Sequence, residues 1–454
     1  MKEFDGASNL LSEGESNVVL GFGSRLAVGP TQELVQTAFA RELSDQVALF
    51  RGMSLADLAH TIMLIEAGVI PTADGAALLS ALLALHEFPR DFTPIPESGD
   101  LYTNREAWLA ARTPAVGWLG AGRARRESTA TGYRITVRSY LLAFADALLK
   151  AGRALIARAD EYRSTLMADY TYLQPTQPTT FGHDLLGFAY PLLRDVERLQ
   201  ALYSRTNRSP AGCGSVNGSH LSQDRSRLAE LLCFDGLAQH ARDAMWQPDG
   251  PIETLSVAIA ALINLDRLAE DLQIFATAEF DLVELDEGHT HASVIMPQKK
   301  NPYALNYAPV AESRLANGFA MATDLAETIT LETGLDFHSA HRIVGRLVRD
   351  AAQTKRLMRD LTVADLDAAA LVILNRPLRL PEAVFAQALD PASAVAARQG
   401  IGGAAAEPLA ECSAGLDACT TWQKKAFTSA ESAEEALLRY TRSFVGVYHA
   451  RPSH

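Results

Sequence analysis

The sequence predicts an all-α protein built on long helices, and three observations carry that reading. Apolar residues recur at spacings of three and four, the signature of a helix with one buried stripe. Alternating β-branched runs, which would mark strands, are scarce. Three segments keep the helical spacing far beyond the roughly 11–12 residues of an average helix.

Taken in order, helices are expected at 31–52 and 54–68, and the longest at 126–166. There Thr131, Ile135, Val137, Tyr140, Leu141, Phe144, Leu148 and Ile156 lie near one stripe with no proline among them. A second long helix runs from Phe181 to Arg205, interrupted only by Pro191. A third runs from Pro251 to Phe280, its proline near the start, where a missing N–H costs nothing. Shorter helices follow at 303–320, 323–333 and 338–360, and 404–454 reads as helix and loop without a chemical motif. The long helices are apolar around too much of their girth for a lone monomer, so they belong in a bundle or an oligomer core. Between them lie loops at 113–125, 169–180, 209–220 and 286–302, rich in glycine, proline and small polar residues. Loops of that composition are where chemistry concentrates.

The bulk numbers exclude several function classes. A net charge of -13 argues against nucleic acid, which needs a basic face to release counterions. A few arginines within a cleft would still form a local site for a small dianion. The N-terminal MKEFDGASNLLSEGES lacks the basic and apolar regions of a signal peptide, and no stretch approaches about 18 uninterrupted apolar residues. A cytoplasmic protein with no membrane partner is expected. Cys213, Cys233, Cys412 and Cys419 are scattered without a CxxC pair, which suits a reducing compartment and gives no metal signal.

The strongest chemical string is Ala292-Ser293-Val294-Ile295-Met296-Pro297-Gln298-Lys299-Lys300-Asn301-Pro302. It offers a hydroxyl, a lysine six residues on and an amide two beyond, donors of the kind that stabilise an enolate-like carboxylate dianion. The whole string resembles the signature of the fumarase/aspartase superfamily, and MPQKKNP resembles the form found in argininosuccinate lyases. Two further blocks agree: Tyr170 to His183 (YTYLQPTQPTTFGH) and Gly117 to Glu127 (GWLGAGRARRE). Ser209 to Ser215 (SPAGCGS) is similar to the family's glycine-rich turn. The blocks stand in the family's order from about 95 to 305, and the likeness resumes near 325–350 and 390–403.

The resemblance implies a fold of three helical domains, here 1–112, 113–335 and 336–454, the middle one a bundle of long helices. It implies a homotetramer whose active sites are shared between three chains, with no cofactor and no metal. The implied reaction is an anti β-elimination at a succinyl C–N bond with fumarate as product, or its reverse. Carried over position by position, Ser293 is the base, and Lys299 and Asn301 hold the carboxylate that gains charge. Thr171, Arg125, Gln174 and Asn104 join them as substrate-binding candidates.

Several positions depart from the family. Tyr172 stands where the family has histidine, and Asn306 where it has that histidine's glutamate partner. Both members of a charged pair are thus replaced by groups that hydrogen-bond without a charge to balance. Arg126 adds a guanidinium that either binds a further acidic group or pairs with Glu127, the pairing being favoured. The chain after Glu312 lacks the long helical excursion that argininosuccinate lyases carry there. In Gly288-His289-Thr290-His291, one histidine, His291 foremost, would supply the missing general acid; a metal pair and plain solvated residues are the other readings. These departures tilt the substrate from argininosuccinate toward another N-substituted succinate. A leaving nitrogen more acidic than guanidinium, as in a nitro-bearing succinate, would need less protonation. The reading from another class is a catalytically inert tetrameric relative with a scaffold role.

Overall fold

The computed structural model describes residues 30–292, 295–296, 300–302, 307–309, 321–398, 404 and 407–449. It is mostly helical, as the spacing of apolar residues requires. The principal helices are α1 (Phe50–Glu66), α2 (Thr72–Glu87), α3 (Leu101–Ala110), α4 (Arg125–Glu161), α5 (Phe181–Thr206) and α6 (Asp249–Phe275). They continue with α7 (Ala322–Thr333), α8 (Phe337–Gln353), α9 (Val363–Leu374) and α10 (Glu407–His449).

The two N-terminal helices expected at 31–52 and 54–68 are one. Helical winding runs unbroken from Gln32 into α1 through a π-helical stretch at Val35–Phe39 and a 3-10 turn at Val47–Leu49. This segment is long and apolar enough to cross a membrane, yet its most apolar window is 72% buried inside the protein, as a core helix is. The C-terminal 407–449 is a single helix where helix and loop were expected.

Two of the expected loops hold strands. The stretch 169–180 lies in a hairpin of β1 (Leu166–Thr171) and β2 (Gln174–Thr180), which also explains why α4 stops at Glu161. Pro175 and Pro178 rule out a helix there, and a two-stranded ribbon has free edges on which a proline's missing N–H does no harm. Within 286–302, β4 (Thr290–Ala292) pairs with β5 (Lys300–Pro302). The helix expected at 303–320 is corrected where it is described: β6 (Tyr307–Pro309) pairs antiparallel with β3 (Val283–Leu285). Pro309 would have broken a helix at that point.

The chain divides into two compact units. The first comprises residues up to 145, 199–255 and 422 onward; the second comprises 146–198 and 256–421. In the first unit, α1 and α2 form an apolar core through Leu58, Ile62, Leu78 and Leu82, completed by Leu109 of α3 and Ile135 of α4. Gly52 and Gly132 let α1 and α4 cross with their backbones touching, since a Cβ on Gly52 would meet the Gly132 carbonyl oxygen at 2.4 Å. In the second unit, α7, α8 and α9 pack Leu325, Ile329, Ile343, Leu347 and Leu366 into a separate core. Caps set their ends. Asp336 accepts from the Ser339 N–H at 2.9 Å at the start of α8, and Gly334, left-handed at φ 66°, closes α7.

One polar cluster sits inside the first core. The Asp57 carboxylate of α1 accepts from Arg105 at 2.7 Å, from Ser128 at 2.8 Å and from Arg123, and all four side chains are buried. Burial alone would raise the Asp57 pKa, but the charges of Arg123 and Arg105 outweigh it and hold the group below its ordinary value. Replacing Asp57 by alanine removes the carboxylate that two buried guanidiniums share, at an expected cost of about 3–5 kcal/mol. The thermal unfolding midpoint of Asp57→Ala should fall steeply, with Asp57→Asn between it and the parent. The parent's share of this stabilisation is fully present above the ordinary carboxylate value and is lost as pH falls from there through the lowered folded value. A midpoint that does not move would show that the cluster does not hold the unit together.

Candidate active site

The candidate residues fall on three structural pieces. The first is the entry to α4, in the first unit. Arg125 opens the helix, is about half exposed, and places Nη1 3.2 Å from the Asp100 carboxylate. Asp100 in turn caps α3 by accepting from the Thr103 N–H at 2.9 Å. Arg126 is exposed and makes no ion pair among the described residues. The pairing expected between Arg126 and Glu127 is corrected by the geometry. Glu127 is buried and turns inward, its two oxygens accepting from the backbone N–H groups of Gly212, at 2.9 Å, and Gly214. Burial raises the Glu127 pKa, opposed by Arg123 and by those two amides.

This contact ties the glycine-rich turn to the start of the long helix. Ala124 N–H closes the join by donating to the Gly214 carbonyl at 3.2 Å. Gly214 is left-handed at φ 69°, and a Cβ there would meet the Gly218 carbonyl oxygen at 2.3 Å, so only glycine fits. Asn104 is not free to reach a ligand through its amide group. Its Nδ2 faces the carbonyls of Ile95, Gly99 and Asp100 at 3.0–3.1 Å, and its Oδ1 accepts from the Ile95 N–H at 2.8 Å.

The second piece is the β1–β2 hairpin, in the second unit. Thr171 and Gln174 form its last register pair, and Tyr172 and Leu173 make the two-residue tip. Both tip residues are left-handed, at φ 52° and 59°. That is the geometry of a turn normally given to Asn-Gly, and it strains residues that carry large side chains. Tyr172 is 99% exposed at the tip. The base of the hairpin is held firmly. Tyr170 packs edge-on against Phe280 at 5.4 Å, and Arg398 donates to the Pro178 carbonyl at 2.6 Å while pairing with Asp324 at 2.9 Å. His183 is at the start of α5, 3.1 Å from the Thr179 hydroxyl, a local structural contact.

The third piece is the signature string. His291 in β4 and Asn301 in β5 are register partners, so the ladder sets these two candidates directly opposite each other. Ala292 and Lys300 form the next pair; Ser293 follows the one and Lys299 precedes the other in sequence. Ser293, Lys299 and Asn306 lie outside the described residues. Lys300 is engaged at the surface, its Nζ 3.5 Å from Glu287 and 3.9 Å from Glu284. No group of three or more His, Cys, Asp or Glu with metal-holding geometry occurs among the described residues.

Behind the hairpin tip the structure adds a site that the motifs do not reveal. A cleft of about 430 Å³ is bordered by Tyr172, Asp169, His183, Asp184, Arg267 and Asp271. Burial, then the neighbouring carboxylates of Asp169 and Asp271, push the Asp184 pKa up to about 7. The only sequence signal for it was an acid in the first turn of an otherwise apolar helix face.

Two family profiles match the chain, one described as Lyase over residues 106–312 and one as Argininosuccinate lyase C-terminal over 319–396. Argininosuccinate lyase of Methanothrix thermoacetophila is 33% identical over 445 aligned positions, covering 83% of this chain and 88% of the relative. That of Methanosarcina acetivorans is 30% identical over 451, covering 85% and 90%. Each aligned span exceeds the part of this chain it covers, so these relatives have residues with no counterpart here. Among solved structures, EDDS lyase in complex with formate superposes with a TM-score of 0.82 at 23% identity, covering 94% of this chain and 98% of that one. Class II fumarase from Schistosoma mansoni gives 0.62 at 12% identity, covering 78% and 94%. These two likenesses establish the fold.

Two outcomes follow from the hairpin region. Leu173→Gly should relieve the left-handed strain and raise the unfolding free energy measured in urea by about 1 kcal/mol net of glycine's entropy; a lower value would show the tip is unstrained. Asp184 holds its proton more tightly when folded than at its ordinary 3.8, so native stability falls as pH rises from about 4 to about 7. Asp184→Asn should therefore melt above the parent at pH 8 and level with it at pH 4. Equal melting at both would refute the upward shift.

Proposed function

Because the chain belongs to the argininosuccinate lyase family, within the fumarase/aspartase superfamily, we propose that it is a carbon–nitrogen lyase that cleaves an N-substituted succinate and releases fumarate. The observation that carries the reading is the β4–β5 ladder, which pairs His291 with Asn301 and brackets in sequence the stretch holding Ser293 and Lys299. Ser293 takes the proton beside the carboxylate, and Lys299 and Asn301 stabilise the dianion that results. Thr171 and Gln174, flanking the hairpin tip, and Arg125 with Arg126, at the mouth of α4, bind the succinyl carboxylates.

A side chain as exposed as Tyr172, at the tip of a hairpin, fits a site completed by other copies of the chain in a homotetramer. Tyr172 and His291 are the candidates for protonating or steering the departing nitrogen. With neither the family's histidine nor its glutamate in place, the leaving group best suited to this site is a weaker base than a guanidine. The unmatched residues of the relatives agree with a substrate other than argininosuccinate. A nitrosuccinate-like compound meets the chemical requirement. The reaction needs no cofactor, and the cytoplasm is the compartment proposed.

Fumarate absorbance should rise with nitrosuccinate and remain near baseline with argininosuccinate. Ser293→Ala should lower the rate by about 10²–10⁴-fold, the usual weight of a general base. Turnover of argininosuccinate at comparable rates would overturn the altered substrate. Fumarate release that survives Ser293→Ala unchanged would overturn the assigned base.

A further inference from the structure

The cleft behind the hairpin tip carries chemistry that the lyase reading leaves unused. Three carboxylates border it, those of Asp169, Asp184 and Asp271, against the single guanidinium of Arg267. Asp169 accepts its neighbouring Tyr170 N–H at 2.8 Å, and Asp271, whose pKa burial raises, lies one helical turn beyond Arg267, whose charge opposes that rise. Asp184 has no such support. Among the described residues no hydrogen bond or ion pair reaches its carboxyl, and the part of it that is accessible faces this cleft. Buried polar groups in folded proteins nearly always have a partner, so an unmatched carboxyl at the back of a cleft marks a place for a donor from outside.

Much of the remaining lining is aromatic, joined by the aliphatic Leu173 and Ile274. Tyr170, Phe275 and Phe280 stack at centroid separations of 5.4–6.1 Å, and the Arg267 guanidinium already sits 6.0 Å from the ring centre of Phe188. Rings of this kind attract a cation through their faces and an alkyl chain through their area. We propose that this cleft binds an organic cation, a guanidinium or primary ammonium on a short apolar body, with its charged end on Asp184 and its body against the rings. An anion would meet three carboxylates and is excluded.

The binding is proton-linked. Asp184 is faced by Asp169, Tyr170 and Tyr172 from the hairpin, by His183 on its own helix, and by Arg267 and Asp271 from α6. Burial first, and then the two acids, hold its pKa up at about 7 in the empty cleft, and a bound cation draws the proton off. Affinity therefore rises with pH across neutrality, while the guanidinium itself stays charged. The proposal stands whichever nitrogen group leaves with fumarate, and its test does not use fumarate release.

The test is calorimetric titration of the full chain with n-butylguanidinium chloride, with sodium butyrate as the charge control, at pH 6 and pH 8. The guanidinium should bind, about tenfold tighter at pH 8, and butyrate should not. Asp184→Asn should weaken binding at pH 8 by at least tenfold and flatten the pH dependence. Asp271→Asn removes one like charge facing Asp184, so cation binding should persist with its pH dependence moved to lower pH. Absence of binding to the parent protein, or equal binding to Asp184→Asn, would overturn the proposal. A pH profile that stays in place in Asp271→Asn would overturn the role given to Asp184.

Discussion

The buried carboxylate of Asp57 is the constraint on which the first unit depends. It forms ion pairs with both Arg105 and Arg123, and it joins α1 to α3 and to the entry of α4. Charges removed from water are costly unless paired and hydrogen-bonded, and here each oxygen of one carboxylate has a donor. The same low-dielectric setting keeps His60 neutral, through burial first and the Arg123 charge second, so that its Nε2 stands 3.0 Å from the Ala121 carbonyl. Two residues after Arg123 the chain emerges at Arg125. A buried guanidinium therefore fixes the direction from which an exposed one is presented.

Glu127 extends that logic to the glycine-rich turn. Its carboxylate substitutes for the partners that the Gly212 and Gly214 amides would otherwise lack, and the turn is held against the helix that carries the arginines. Two sequence blocks separated by some 85 residues thus become one structural piece. The family likeness of each block has a physical counterpart here: one supplies the acceptor, the other a backbone that only glycine can bring close enough.

Much of this was legible in the residues alone. The long helices announced themselves because a stripe of apolar side chains repeated over many turns has few other solutions. The Ser293 string was legible because its residue types and spacing match one chemistry. The strands were not, because each is three to seven residues long and gains its pairing from a partner that no local window shows. Glu127 was misread for the same reason: the adjacent Arg126 was visible in sequence, whereas Gly212 and Gly214 were not. Asp57 and Asp184 look alike in sequence, each an acid within an apolar helical stretch. Only the fold shows that one is met by two arginines and the other by two more acids.

That contrast bears on how the hairpin works. A two-residue tip with both residues left-handed would ordinarily be given to glycine or asparagine, and glycine would cost nothing in strain. Tyrosine and leucine are held there instead, which requires the rest of the ribbon to be over-determined. The structure supplies that through the Tyr170–Phe280 contact, the Arg398 link from Pro178 to Asp324, and the Thr179–His183 contact at the base. A rigid base makes a strained tip a way of aiming a side chain rather than a defect. The tip carries a phenol where a charged imidazole would demand a counter-ion, and the acids behind it line the cleft that the phenol borders. The second unit thus presents a neutral hydrogen-bonding group at its extremity and keeps negative charge at the rear, an arrangement compatible with a dianionic substrate approaching the tip.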